Sequence, residues 1–202
     1  MTKKTIYQPL SKMELKSFFE PYRQAFPDWS VEHDLMLSRQ NGPIRQGIFL
    51  YGLSYAAYRP EHFIEIQFAI PDGCSLLNQS LDIKHRQVER REHETKWPLV
   101  LKAMEEQFLP PIRQPLNVTE VLRFAEEEAA RDRIENINYL TGLAVLNAYV
   151  ANAERAIYWC CRVEESAANL GRPLGDWETR KRLFILELQH AIKTGKEREF
   201  LS

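Results

Sequence analysis

The sequence predicts an α+β protein: an N-terminal helix, a three- to four-stranded antiparallel meander with a packed helix, then a C-terminal helical hairpin or small bundle. Three observations carry this expectation. Residues 46–70 show apolar residues at strand period, with turn chemistry between the runs. From Trp97 onward the apolar period lengthens to that of a helix. Prolines at 110, 111 and 115 then separate a sheet-bearing part, 1–116, from an all-helical part, 117–202, that is expected to pack on the first.

The first helix is announced by Ser11 and Glu14, three apart. That spacing lets each side chain satisfy a free amide at a helix start. Met13, Leu15, Phe18, Phe19, Tyr22 and Phe26 supply its apolar side, Pro21 bends or interrupts it, and Pro27-Asp28 ends it. Val31–Arg39 reads as a short strand, closed by the turn Asn41-Gly42-Pro43. Gln46–Tyr58 is apolar on both parities, which predicts one central strand covered on both faces. Arg59-Pro60-Glu61-His62 has the form of a type I turn. In Phe63–Ile70, Ile64, Ile66, Phe68 and Ile70 point one way and Glu65 and Gln67 the other. Pro71-Asp72-Gly73 turns the chain again, and Ser80–Val88 supplies a fourth strand.

Trp97, Val100, Leu101, Met104 and Phe108 form one helical stripe, with Pro98 confined to the first turn by a start near Thr95. Asn117 with Glu120 marks the next start. Residues 134–170 hold one glycine and no proline, so they read as one long helix or two closely joined ones that stop at Gly171. Asp176 caps the last helix, which carries Trp177, Phe184, Leu188, Ala191 and Ile192. The alanine- and aromatic-rich stretch 143–163 resembles repeat packing in composition, but repeats need several copies at a period of about 34 residues, and no second copy is present.

Composition narrows the function classes. Among 202 residues, 27 Lys and Arg balance 28 Asp and Glu, which disfavours a nucleic-acid partner that would require a basic stripe. The start, MTKKTIYQPL, has no apolar core after its lysines and predicts no signal peptide. The most apolar run, 139–151, is too short and polar to span a bilayer, so no membrane role is expected. Three cysteines, an odd number with no CxxC spacing, fit a reducing cytoplasm.

Each chemical motif has a plainer structural reading. Asp34 with Glu65-Ile66-Gln67 has part of the carboxylate pattern of a metal-dependent nuclease, but Gln67 stands where such a site needs a lysine. Glu65 and Gln67 are otherwise the solvated parity of a strand. His85, Glu89 and His93 fall four apart, yet lie in a densely charged stretch with no further ligand signature. Cys160 and Cys161 sit mid-helix beside Trp159, where cysteine behaves as a small hydrophobe. Neither a nucleophile elbow nor a glycine-rich phosphate loop is present.

No catalytic residues, metal ligands or cofactor are therefore expected. The leading expectation is a non-catalytic protein-interaction protein, of the kind of a small bacterial immunity or antitoxin-like binder. Its candidate surface comprises Tyr51, Tyr55, Tyr58, Arg59, Glu65, Gln67, Arg86, Arg90 and Arg91, which combine aromatic and charged contact chemistry. One alternative is a metal-dependent phosphodiester hydrolase built on Asp34, Glu65 and His85 or His93. Another is a homo-oligomeric structural subunit that associates through Leu143–Val163.

Overall fold

The computed structural model describes residues 8–202. Met1–Tyr7, most of the stretch read for a leader, lie outside them. The α+β expectation holds: an N-terminal helix, a five-stranded antiparallel sheet with one short extra strand, then helices.

Helix α1, Lys12–Ala25, starts where its capping pair predicts. The Glu14 amide donates to Ser11 Oγ at 3.2 Å, and the Ser11 amide donates to Glu14 Oε2 at 2.9 Å. Leu15, Phe19 and Tyr22, on one helical face, are buried. Pro21 stands inside the helix without ending it.

The strands are β1 Ser30–Glu32, β2 Met36–Asn41, β3 Ile44–Gly52, β4 Ala57–Ile66 and β5 Cys74–Ser80, paired in chain order, with β6 Val88–Glu89 added beside β4. Several expected boundaries shift. The expected strand 31–39 is two strands, because His33 and Asp34 adopt positive φ and turn the chain between them. The expected central strand 46–58 reverses at Leu53–Ala56, where the Leu53 amide donates to Ala57 O at 3.0 Å. Arg59-Pro60-Glu61-His62 is mid-strand rather than a turn. Tyr58, Pro60, His62, Ile64 and Ile66 are all buried, so the alternation runs straight through the proline. The strand expected at 80–88 lies earlier, as β5 at Cys74–Ser80, and most of 80–88 is a loop.

Helix α2, His93–Gln107, follows a 3₁₀ turn at Arg90–Glu92, which places Pro98 beyond the first turn. Helices α3 Val118–Asp132, α4 Ile137–Tyr149, α5 Ala153–Ala168, α6 Asp176–Lys193 and α7 Glu197–Phe200 complete the described chain. Of the two expected arrangements, one long helix or two closely joined ones, the chain takes the second: α4 and α5 are separated at Ala151, which takes a φ of 61°. Gly175, not Asp176, caps α6, and its amide donates to Glu178 Oε2 at 2.6 Å.

The chain divides into two compact units. One comprises residues up to Arg39, 46–63 and 78–115; the other comprises 40–45, 64–77 and 116–202. The division is thus not a single cut at 116, since two strand-bearing stretches belong with the helices. The first unit has its own core, including Phe19, Tyr22, Ile48, Tyr58, Met104 and Phe108. The second buries Ile64, Leu76, Leu140, Val145, Trp159 and Leu188. Its centre is α4, in which 11 of 13 residues are buried, as expected of a helix apolar all round. A Cβ on Gly142 would lie 2.9 to 3.1 Å from side-chain atoms of Leu76, Cys74 and Ile66, so glycine permits the close approach of α4 to those strands. No helix among the described residues is long and apolar enough to cross a membrane.

Candidate functional site

The expected surface residues fall into different environments. Glu65 and Gln67 belong to the second unit, the other seven to the first. Glu65 is ion-paired with Arg45, while Gln67 is exposed and its amide donates to Pro43 O at 2.7 Å. Tyr58 is corrected from surface to interior. Its hydroxyl lies 3.1 Å from that of Tyr22 and 2.9 Å from His93 Nδ1, and burial raises its pKa. Its side chain is taken by the buried parity of β4, and the OH finds partners there as a buried phenol must.

The remaining residues surround the β3–β4 turn and the following loop. Tyr51 is 52% exposed and carries the Arg59 guanidinium 5.5 Å from its ring centre. Arg59 is also paired with Glu61. Tyr55, 40% exposed, donates its hydroxyl to Gln87 Oε1 at 2.5 Å, tying the turn to the loop at 82–87. Arg90 pairs with Glu14 at 2.9 Å and Arg91 with Glu89 at 3.1 Å. Both are exposed but partly neutralised by these neighbours. Lys84 and Arg86 are exposed and take part in no ion pair among the described residues.

That loop is braced at its base. Asp82 Oδ1 accepts the His85 amide at 3.0 Å and lies 2.8 Å from His85 Nδ1, which holds its carboxyl below the usual carboxylate range. The Asp82 amide donates to Gln107 Oε1 at 2.9 Å, and Gln107 Nε2 donates back to Asp82 Oδ2 at 3.2 Å. On this frame stands Ile83, 92% exposed. Ile83 was not among the residues expected from sequence. Its only signal there is a branched apolar residue isolated within Asp82-Ile83-Lys84-His85-Arg86.

The groups suggested for metal chemistry each have a separate partner. Asp34 is held by Lys16 at 2.7 Å and Lys12 at 3.2 Å, whose hydrogen bonds lower its pKa. Glu65 faces Arg45, His85 faces Asp82, and His93 is buried against Tyr58 and stacked on Phe18. Among the described residues no three His, Cys, Asp or Glu side chains form a group able to hold a metal ion. Burial pushes the Cys160 thiol up to about 12, opposite to the activation a nucleophilic cysteine needs.

A second buried polar chain crosses the first unit. Arg39 donates from Nε at 2.8 Å and from Nη2 at 2.6 Å to Gln46 Oε1, which orients that amide. Gln46 Nε2 then donates to His62 Nε2 at 3.0 Å, leaving His62 Nδ1 to donate to Gln79 Oε1 at 3.1 Å. Every member has a partner, and the imidazole is specified as one neutral tautomer. Its two central members, Gln46 and His62, are fully buried, while Arg39 and Gln79 at its ends are half-buried.

Exposed Tyr51, Tyr55, Ile83, Lys84 and Arg86 thus lie on the loop 82–87 and the adjoining hairpin, whereas the two buried polar chains of the first unit are satisfied within it. Compared with protein-family profiles, with curated proteins and with solved structures, the chain matches none.

Proposed function

We propose that the protein acts by binding another protein through the loop at 82–87 together with Tyr51 and Tyr55. The observation that carries this reading is Ile83, almost wholly exposed at the tip of a loop fixed by hydrogen bonds on both sides. A branched aliphatic side chain in water gains most from a pocket that removes it from water, roughly 25 cal/mol per Å². Bracing supports the same reading, because a loop already held in place loses little conformational freedom on binding. Tyrosine and arginine nearby match the residue types that dominate protein interfaces. Lys84 and Arg86 flank the tip without ion-pair partners among the described residues, which fits a complementary surface with an apolar pocket and an acidic rim.

Affinity purification of tagged wild type and Ile83→Asp from the source cells tests this. Wild type should hold a stoichiometric partner, and the substitution should weaken that complex by about 10- to 100-fold. The melting temperature should change little, since exposed substitutions typically shift stability within about 0.5 kcal/mol. Equal retention by both forms, or no partner on wild type, would overturn the proposal.

A further inference from the structure

Helix α6 carries two seams. The buried one runs through Glu178, Lys181, Ile185, Leu188 and Ile192 and faces the second unit's interior. Two residues out of phase, and so about 200° around a helix of ~100° per residue, run Asp176, Thr179, Leu183, Leu186, His190 and Lys193, all exposed. Their spacing alternates three and four, the a and d spacing of a coiled-coil seam. Leu183 is 56% exposed and Leu186 42%. Asp176 and Lys193, at opposite ends, belong to no ion pair among the described residues.

We propose that this outer face pairs with α6 of a second copy of the chain, antiparallel, about a two-fold axis between Phe184 and Ile185. Antiparallel seams set each a position against a d position. Leu183 then packs on Leu186 of the second copy, Thr179 meets His190, and Asp176 meets Lys193, twice over by symmetry. A parallel pair would set Asp176 against Asp176 and Lys193 against Lys193, so the end charges select the antiparallel form. An open groove lined by Leu186, His190, Ala191 and Phe200 lies beside the leucines and extends the apolar contact. At ~1.5 Å per residue the seam is about 27 Å long. A single seam of that length with two leucines per copy buries little apolar surface beside the ~1,200–2,000 Å² of specific stable interfaces, so the dimer should dissociate on dilution.

The face is distinct from the Ile83 loop, and each can be tested without the other. Sedimentation velocity from ~1 to ~300 μM, a range that brackets weak association, should show the mass rising from 23.7 kDa toward twice that value. Leu183→Asp/Leu186→Asp should remain monomeric throughout with an unchanged circular dichroism spectrum, because both side chains are exposed. Asp176→Lys alone and Lys193→Glu alone should each weaken association by several-fold, and the double swap should restore it. A wild type that stays monomeric, or a leucine double variant that still associates, would overturn the proposal. Failure of the double swap to restore association would overturn the antiparallel pairing.

Discussion

His62 lies fully buried between Gln46 and Gln79 and stacks on Phe108 with ring centres 4.8 Å apart. Burial disfavours its charged form and pushes its pKa from 6.5 down to about 3. Protonation would also place an N–H where Gln46 already donates. Between those two values the unfolded chain binds a proton that the folded chain refuses. The contribution of His62 is therefore fully present above pH 6.5 and is lost as pH falls toward 3. The slope approaches about 1.4 kcal/mol per pH unit for one such group. Urea titrations at several pH values should show that decline beginning near 6.5. His62→Gln, less stable at neutral pH, should lose most of the slope above pH ~5, where carboxylates are still ionised. His93, also lowered by burial, adds a smaller part with the same sign. A wild-type stability independent of pH across this window would sink the argument. Spacing in the sequence singled out His85 and His93 but not His62. Its environment is assembled by Gln46, Gln79 and Phe108, which are remote in sequence, so no local pattern signals it.

Signals completed within a few residues were legible at the level of elements. The starts of α1 and α3 lie where Ser11/Glu14 and Asn117/Glu120 place them, because each cap is made within one turn. The prolines misled where packing overrode local preference: Pro60 lies within β4 and Pro98 within α2. Between α4 and α5 the reverse happened, since a non-glycine, Ala151, takes the positive φ that usually advertises itself through glycine. The sheet also contains a glycine whose role is visible only in three dimensions. A Cβ on Gly47 would collide with the Phe63 ring, and it would lie 3.0 Å from Leu37 O, so the aromatic covers the gap that glycine leaves. Gly47→Ala should lower stability by about 2–3 kcal/mol, the upper range for overpacking. Adding Phe63→Leu should recover part of the loss by removing the colliding atoms. Chemical denaturation of the three proteins would decide it, and a neutral Gly47→Ala would refute the steric account.

Across the whole molecule, the change from strand to helix periodicity was readable, while the membership of the two units was not. Residues 64–77 carry ordinary strand alternation, and nothing in their own sequence says that they belong with helices beginning 40 residues later in the chain. What recruits them is the close approach at Gly142 and contacts such as Cys74 Sγ donating to Asn138 O at 3.1 Å. In the same arrangement Leu143–Ala148 are buried, as are Ala156, Trp159, Cys160 and Val163, while Tyr149 and Tyr158 between them are exposed. It also sets an order of local stability. Amides of α4 are hydrogen-bonded inside a helix buried almost all round, so opening them requires undoing the second unit's core. Helix α7 has four residues and no buried side chain within its span, and the loop at 82–87 exposes most of its length. Hydrogen exchange followed by mass spectrometry should therefore find peptides covering 140–148 protected longest, with 197–202 exchanging first. If peptides from α7 outlasted those from α4, α4 would not be the element on which the second unit's cooperativity rests.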